Sequence, residues 1–580
     1  MTDPTALAPC TPRRSSRGAR RTSGALRRRL GALWAVVTVA ATVGCVSIPD
    51  AGPVRAGGPV REDVVGDFEY RPSGPAVDST QDQLLRDFVE AGTGSADDYA
   101  VARQFLSRDF AREWDPRSGV VVRSGPGTVT RAGGSRLDYT VVGAATIDAD
   151  GHYAQALTPS TTTLGFEFVR EGDQWRISYA PDGIVLTTTN VDIVFRPHSL
   201  YFYDPTYSVL VPDERWFLAR SSTSTRIAAA LLAGPSPWLQ GALASAFPEG
   251  TQLSLDAVTV VGGRARVDLT AEALSADPVE RARMRAQLLA SLSSVAAVTA
   301  VDLTVQAAVL EVPDPSSASR LRDPAVDPRP LVVVDGVLGH ATSSGPEVLA
   351  TSPQVTALDP VSVEASVDDE RAVVGAADGA WLVQGDADAV RVDARPGLAP
   401  PALDGDGYAW TAPRDDARSL VATGRDGVAH QVSSKLPAGQ SLVSFRVSRD
   451  GTRALVLLDV AGEARLLVTS VLRDARRVPL SLGDPVELSP PAGVPVGATW
   501  ADENTVAVLT DVEGASEVSL RELGGEPGAP SRPTGRAVTI VGGDGRDHLH
   551  LLMDDGRVLE PRGTGWQDTG VQADLLATQR

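Results

Sequence analysis

The sequence is poor in the side chains on which most enzymes rely. Among 580 residues there are two cysteines, six histidines and a single lysine, Lys435. That lysine lies in Ser433-Ser434-Lys435-Leu436, so no phosphate-binding Gly-x-x-x-x-Gly-Lys loop is present. The sequence also has no His-Glu-x-x-His motif and no Gly-x-Ser-x-Gly elbow. These absences exclude P-loop nucleotide hydrolysis, zincin-type proteolysis and the standard α/β-hydrolase nucleophile.

Aromatic residues are also scarce, at 5%, and the balance of charge is acidic. Lys plus Arg number 54 against 73 Asp plus Glu, which gives a net charge of −19. Residues 1–44 nevertheless hold eight arginines and one acid, Asp3, so the rest of the chain is more acidic still. Binding of nucleic acid or of an anionic membrane surface depends on cationic charge, so this composition argues against both. The length and the 42% of hydrophobic residues suffice for about three or four folded domains.

Residues 1–44 have the composition of a secretion signal. Residues 30–43 are uncharged and mostly apolar, follow the arginine-rich stretch, and would span about 21 Å as a helix. That is too short for a hydrocarbon core of about 30 Å, whereas a basic region before a short apolar run is typical of a signal peptide. Residues 1–44 are therefore predicted to be removed.

Thr42-Val43-Gly44-Cys45 resembles the bacterial lipobox, whose cysteine receives a diacylglycerol thioether and becomes the mature N-terminus. The resemblance implies lipidation of Cys45, with palmitate in the anchor, at the extracytoplasmic face of the cell membrane. The other cysteine, Cys10, lies in the predicted leader, so the mature chain has no disulfide. An ordinary signal peptide with an incidental cysteine is the alternative.

The next segment, residues 45–79, is predicted to be the lipidated N-terminus and a disordered tether. Gly, Pro and Asp recur in it without a sustained hydrophobic period. A coil of this length has an r.m.s. reach of roughly 30–35 Å. The folded body is therefore expected to stand off the lipid surface.

Residues 80–214 are predicted to form an α+β domain. Thr80 and Gln83 have the capping-box spacing, and apolar residues at 84, 85, 88 and 89 share one helical face. A second helix is predicted at 97–112, and strands are predicted at 137–142, 164–169 and 174–178. Helices followed by a sheet resemble, in architecture alone, the cone of the nuclear-transport-factor-like superfamily.

A group of aromatic residues lies in a bridging strand region at 191–211. It consists of Tyr201, Phe202, Tyr203 and Tyr207. The favoured interpretation is a domain interface, and the alternative is an exposed recognition patch.

Residues 215–312 are predicted to form a second α+β domain. A helix at 226–233 ends at Gly234-Pro235, and Ser236-Pro237 begins another. Strands at 251–261 and 264–269 flank the turn Gly262-Gly263, Asp277 and Glu280 cap a helix that runs to residue 292, and a last strand pair covers 299–312. The segments 231–235, 247–251 and 265–269 resemble, in order, the GerMN domain of sporulation and cell-envelope lipoproteins. Residues 313–330 are predicted to be a linker.

Residues 331–580 are predicted to form an all-β propeller. Short β-rich segments are separated by acidic turns, and echoing strand–turn–strand units start near 363, 408, 443 and 497. At about 45 residues per blade this region provides five or six blades. The Asp-Gly turns are at 335–336, 378–379, 426–427, 450–451, 544–545 and 555–556. A flat sandwich is the alternative.

The order of lipobox, tether, α+β domain, GerMN-like domain and propeller resembles the actinobacterial LpqB lipoprotein family. Cys45-Val46-Ser47-Ile48-Pro49 is also similar to that family's mature N-terminus. The resemblance implies a partner, the extracytoplasmic domain of an MtrB-like sensor histidine kinase. It also implies a role in two-component signalling on cell-envelope homeostasis and division.

No candidate for catalysis or metal binding outweighs a simpler explanation, so no catalytic residue, metal or cofactor is predicted. His548 and His550 would share a strand face, but they lack a third ligand in the sequence. Asp404-Gly405-Asp406-Gly407 could bind calcium but lacks the EF-hand spacing, which favours a plain turn. Asp368 and Asp369 are expected to be solvated in a blade turn. An enzyme that binds or modifies envelope glycan, with scattered carboxylates, is the alternative function.

Overall fold

The structure is a computed structural model that describes residues 72–219, 222–255, 257–295, 298–313, 326–385, 387–543 and 545–579. Cys45, the predicted leader and most of the predicted tether and linker lie outside these ranges. Within them, no helix combines the length and the apolar character needed to span a membrane. The described residues pack together as one unit.

The N-terminal domain combines four helices with a mostly antiparallel sheet. Its elements are α1 (Gln81–Ala91), α2 (Ala96–Arg103), α3 (Phe110–Glu113), β1 (Gly119–Arg123), β2 (Thr128–Arg131), β3 (Arg136–Asp148), β4 (Tyr153–Glu171), β5 (Gln174–Tyr179), β6 (Ile184–Thr187) and α4 (Thr188–Val194). The strand order is β5-β4-β3-β1-β6, with β2 also paired to β3. Only the β1–β6 pair among these is parallel. This arrangement confirms the predicted α+β class.

Helix α1 begins where the sequence predicts. The Thr80 hydroxyl accepts a hydrogen bond from the backbone N–H of Gln83 at 3.3 Å. The Gln83 side chain donates to Asp87 instead of returning to Thr80, so half of the predicted capping box forms. The apolar face of α1 is buried, which fixes the helix on the sheet.

The predicted helix at 97–112 is wrong in its length. The structure has two short helices, α2 and α3, with a non-helical segment between them. That segment pairs with strand β5: Ile177 N–H donates to the carbonyl of Phe105 at 2.9 Å, and Ser107 N–H donates to the carbonyl of Ile177 at 2.8 Å. Strand pairing therefore replaces the helical hydrogen bonds.

The second domain combines a hairpin, a four-stranded sheet and two helices. Its elements are β7 (Phe195–Tyr203), β8 (Leu210–Leu218), α5 (Thr223–Ala233), β9 (Thr259–Val261), β10 (Arg264–Leu269), α6 (Pro278–Leu292), β11 (Ala300–Val305) and β12 (Ala308–Val309). The sheet order is β12-β11-β10-β9, and α6 connects the parallel strands β10 and β11. The strand predicted at 251–261 is wrong in length, because only its last three residues form β9. The helix expected after Ser236 is a single 3₁₀ turn, Pro237–Leu239.

The β7–β8 hairpin belongs to two cores at once. Trp216 and Leu218 pack into the core of the N-terminal domain, whereas Val211 and Phe217 pack into that of the second domain. Alternation along a strand sends successive side chains to opposite faces, so one strand can serve both cores. The predicted boundary at residues 214 and 215 falls inside β8.

The propeller completes the predicted order of domain classes. Its elements are β13 (Leu331–Val334), β14 (Val337–Thr342), β15 (Gly345–Val348), α7 (Ser352–Thr356), β16 (Ser362–Ala365), β17 (Arg371–Ala376), β18 (Gly379–Gln384), β19 (Val390–Asp393), β20 (Ala402–Leu403), β21 (Ala409–Thr411), β22 (Val421–Thr423), β23 (Ala429–Gln431), β24 (Ser441–Val447), β25 (Arg453–Val460), β26 (Glu463–Arg473), β27 (Pro479–Leu482), β28 (Val486–Leu488), β29 (Val494–Trp500), β30 (Thr505–Val512), β31 (Ala515–Glu522), β32 (Ala537–Val541), β33 (His550–Met553), β34 (Arg557–Arg562), β35 (Gly565–Gln572) and β36 (Leu575–Gln579).

Within the described residues these strands form six blades. The first blade is β36-β13-β14-β15, so its innermost strand comes from the C-terminal end of the chain. The others begin at β16, β20, β24, β29 and β32. Of the unit starts read from the sequence, 363, 443 and 497 lie in first strands, whereas 408 precedes a second strand.

Candidate functional site

Strand β8 carries three consecutive charged residues through the interior of the protein. They are Asp213, Glu214 and Arg215, and all of β8 except Glu214 is buried. A charged side chain in such a place costs free energy unless it finds a partner. The partners of these three residues define the region where the three domains meet.

Asp213 and Arg215 satisfy each other. Their side chains, 3% and 4% exposed, form an ion pair at 2.8 Å. Asp213 also accepts hydrogen bonds from the amide and hydroxyl of Ser236, and Arg215 donates to the carbonyls of Asp150 and Gly234. This pair therefore ties the hairpin to the N-terminal domain and to the end of α5.

The charge of Glu214 is compensated less well by its partners than the charges of Asp213 and Arg215. Its Oε2 accepts from the hydroxyl of Ser199 at 2.7 Å and from the side-chain amide of Asn504, in the propeller, at 3.4 Å. The pKa of Glu214 is raised to about 7: burial is the largest cause, the Ser199 hydrogen bond opposes it, and the nearby carboxylates of Glu522, Asp213 and Glu503 add to the rise.

Two further hydrogen bonds cross from the hairpin to the fifth blade. The Tyr201 hydroxyl donates to Oε1 of Glu503 at 2.7 Å, and the Trp216 indole donates to the carbonyl of Gly524 at 2.7 Å. Gly524 has φ +72°, and a Cβ there would lie 3.2 Å from Cβ of Glu214. We call the contact of Ser199, Tyr201, Glu214 and Trp216 with residues 503–504 and 522–524 the domain junction.

A second contact joins the tip of the hairpin to the fourth blade. Asp204 is fully buried and accepts from Arg477 Nη1 at 2.9 Å. Arg477 also pairs with Asp406 at 2.8 Å, and Arg473 pairs with Asp404 at 2.6 Å. Buried, multiply bonded ions of this kind fix orientation because they leave few alternative geometries.

A cavity of about 360 Å³ lies beside the domain junction. Residues from all three domains line it, among them Tyr153, Glu214, Trp238, Leu488 and Asn504. Cavities of this size with apolar walls and a few polar groups are typical of ligand sites, and they occur preferentially at domain interfaces.

The residues proposed from the sequence lie elsewhere. Asp404 and Asp406 bind Arg473 and Arg477 in a turn closed by the bond from Gly407 N–H to the carbonyl of Asp404. Cys45, the predicted lipidation site, lies outside the described residues.

The histidine pair does not gather a metal site. His550 is buried at the start of β33, and among the described residues no third metal-ligating side chain joins it and His548. The described part of the chain has one group of three such side chains, Asp148, Asp150 and His152, whose donor atoms lie within 4.8 Å of one another. Hydrogen bonds within the turn account for this grouping. The backbone amides of Asp150 and His152 donate to the Asp148 carboxylate, and the His152 imidazole bonds the same carboxylate.

The two acids in the turn between β16 and β17 have more partners than the sequence suggested. Asp369 bonds His340 at 3.1 Å and Gln579 at 2.9 Å, and Asp368 pairs with Arg371 at 3.2 Å. The expectation that solvent surrounds them is wrong for Asp369, which joins the turn between β16 and β17 to strands β14 and β36.

Three of the four aromatic residues of this group are buried, and the fourth, Tyr207, is half-buried against the same core. Tyr201, Phe202 and Tyr203 are at most 5% exposed and lie in the core of the second domain, and Tyr201 also reaches the propeller. Sequence-based prediction did not single out Glu214, Glu503 and Glu522. The available signal was the charged run 213–215 inside the apolar strand at 210–218, which marks a paired or interface strand.

The fold and its junction define a class of three-domain proteins with an α+β domain, a GerMN-type domain and a β-propeller. Family models match in the same order: the N-terminal domain of lipoprotein LpqB over residues 74–192, the sporulation and spore germination domain over 199–311, and the LpqB β-propeller domain over 331–574. The chain belongs to the LpqB lipoprotein family.

Relatives cover nearly the whole chain. Lipoprotein LpqB of Cutibacterium acnes is 28% identical over 84% of this chain and 86% of its own length. Lipoprotein LpqB of Streptomyces avermitilis is 24% identical over 94% and 97%. Among solved structures, TolB of Acinetobacter baumannii is similar over 41% of this chain and 65% of its own, with a TM-score of 0.29 and 11% identity.

Proposed function

We propose that this protein is a non-catalytic accessory lipoprotein at the extracytoplasmic face of the membrane. Its proposed partner is the sensor domain of an MtrB-like histidine kinase, through which it modulates two-component signalling in envelope homeostasis and division. The observation that carries the proposal is the match of LpqB family models to the first and third domains, with the sporulation and spore germination model between them. The acidic body, with a net charge of −19 for the whole chain, argues for a protein partner rather than nucleic acid.

We propose that the kinase docks on the end of the propeller opposite the hairpin. The hairpin contacts the end of the propeller that carries Glu503 and Arg477, and the opposite end carries the turn at 376–379 and the connection at 394–401. There a cavity of about 410 Å³ lies between the second and third blades, with Asp378 and Arg414 at its rim.

Binding of the detergent-solubilised full chain to the purified kinase sensor domain tests the proposal. Ala377 is exposed at this cavity, so Ala377→Trp should fill it and weaken binding about tenfold or more, equivalent to about 1.4 kcal/mol. Arg86→Ala, on the exposed face of α1, is the matched control and should bind like the unmodified chain. Absence of saturable binding would reject the kinase as partner, and normal binding of Ala377→Trp would place docking elsewhere.

The anchor is tested separately. Cys45→Ser removes the thiol on which the proposed thioether forms, so we expect no incorporation of labelled palmitate and accumulation of unprocessed or released protein. Cys10→Ser, in the predicted leader, should label normally. Labelling of the Cys45→Ser protein would reject the lipobox assignment.

Envelope glycan is the second candidate, as a ligand or a substrate. The cavity beside the domain junction favours it, because Trp238 and Tyr153 offer flat surfaces while Glu214 and Asn504 offer hydrogen-bonding groups. Peptidoglycan fragments should then give saturation-transfer signals that Trp238→Ala abolishes. Release of reducing ends, lost in Glu214→Gln, would identify an enzyme.

A further inference from the structure

The domain junction places several carboxylates around one partly buried acid. Glu214 is in the second domain, and the propeller contributes Glu503 and Glu522 from the other side. Asp213 adds a fourth carboxylate from the same strand. Like charges this close favour the neutral form of at least one of them.

The arginines of the second domain and the propeller are committed to other acceptors. Arg215 pairs with Asp213 and donates to backbone carbonyls. Arg521 donates to the carbonyls of Ser489 and Leu520. Arg546 approaches Glu522 at 3.4 Å and Asp502 at 3.5 Å. In the described residues, none of these three has a direct bond to Glu214.

The titratable groups of the remaining neighbours bond partners other than Glu214 or titrate far from neutral pH. His152, which lines the cavity from the N-terminal domain, bonds Asp148. Burial raises the pKa of Tyr153 far above neutrality. His198, next to Ser199 on β7, bonds Ser294, and burial lowers its pKa.

We infer that the domain junction is a proton-operated joint, in which neutral Glu214 holds the second domain against the propeller and ionised Glu214 loosens it. Separation of the two surfaces would hydrate Glu214 and remove it from Glu503 and Glu522. The inference rests on the contacts within this chain and is independent of the kinase partner.

The direction of the pH effect follows from linkage. In the docked form the pKa of Glu214 is raised to about 7, against an ordinary value of 4.5. Protonation of Glu214 therefore favours docking, and this contribution is fully present below pH 4.5. Docking then weakens about tenfold per pH unit as the pH rises towards 7 and is constant above it. The joint is thus tight in acid and looser at neutral and alkaline pH.

The other bonds across the interface contribute a part of the docking free energy that does not change between pH 5 and 8. Hydrogen bonds hold the pKa of Asp204 below its ordinary value despite burial, so its pair with Arg477 persists at pH 5 to 8. The indole of Trp216 does not titrate. Ionisation of Glu214 therefore loosens the joint without abolishing it.

Hydrogen–deuterium exchange of the detergent-solubilised full chain at pH 5, 6, 7 and 8 tests the inference. After correction for intrinsic exchange rates, protection in peptides covering 210–218 and 501–525 should fall about tenfold per pH unit between 5 and 7 and then level off. Peptides from strands β25 and β26, in the interior of the fourth blade, should keep constant protection.

Three variants separate this from general pH sensitivity. Glu214→Gln keeps an acceptor for Ser199 but cannot ionise, so its protection should not change with pH. Glu522→Gln removes a neighbouring charge, so the levelling-off should move to lower pH. Glu487→Gln is the matched control, because Glu487 lines the same cavity but pairs with Arg465 at 2.6 Å and should keep the unmodified profile.

A flat profile in the unmodified chain, or an unchanged slope in Glu214→Gln, would overturn the inference. If Glu214→Gln fails to fold, as judged by circular dichroism, Glu522→Gln is the decisive variant. A levelling-off at lower pH supports the inference, and an unchanged profile overturns it.

Discussion

At the scale of single residues, strand β8 shows how this protein accommodates charge in its interior. Asp213 and Arg215 are both almost fully buried, and each makes bonds beyond their common ion pair. A buried ion pair contributes little net stability, but loss of one member leaves the other without compensation. The pair therefore specifies where β8 lies between the two cores.

Arg215→Met should consequently destabilise the protein by about 3–5 kcal/mol, because it leaves Asp213 buried without its cation. Urea unfolding monitored by tryptophan fluorescence measures the change. Arg86→Ala is the comparison, since Arg86 pairs with Asp82 on an exposed helix face and should cost at most about 0.5 kcal/mol. Equal effects of the two variants would contradict this account of β8.

At the scale of elements, helix α6 shows how much a local sequence signal can decide. Asp277 accepts from the amides of Val279 and Glu280, Glu280 bonds back to the amide of Asp277, and Pro278 occupies the first turn. Its boundaries were predicted from those residues. The reason is that the capping bonds join residues within four positions of each other.

Asp277→Ala should lower the free energy of unfolding by about 1 kcal/mol, because two amides at the start of α6 lose their acceptor. Thermal or urea unfolding gives the value. Ser222→Ala at the start of α5 is the control, since Ser222 makes no side-chain capping bond, and it should have little effect.

Other elements were predicted poorly because their structure depends on residues far away in the sequence. The residues at 104–109 have a helical pattern, yet they pair with β5, a strand far away in sequence. The strand predicted at 251–261 is also shorter than its pattern suggests. Local propensity does not contain the position of a distant strand, and tertiary pairing overrides it.

At the scale of the whole molecule, the propeller is closed by its last strand. Strand β36 pairs with β13 in antiparallel and with β16 in parallel fashion. The side chain of Gln579 adds hydrogen bonds to the amide of Asp327 and to Asp369. The two ends of the propeller sequence therefore depend on each other for a complete first blade.

Deletion of residues 575–580 should abolish cooperative unfolding of the propeller and make it sensitive to protease, because β13 and β16 lose their partner. Differential scanning calorimetry and limited trypsin digestion test this. Gln579→Ala keeps the strand and loses only side-chain bonds, so it should cost about 1–3 kcal/mol and remain cooperative. A cooperative, protease-resistant truncation would show that the strand is dispensable.

The sequence by itself determined the domain classes, their order, the caps of α1 and α6 and the propeller repeat. Each of these depends on residues close together in the chain or on a periodic pattern. Only the tertiary structure decided that β7 and β8 serve two cores, that Glu214 meets Glu503 and Glu522, and that β36 completes the first blade. These contacts join residues hundreds of positions apart, and burial, which gives Glu214 its unusual pKa, exists only after the domains have packed.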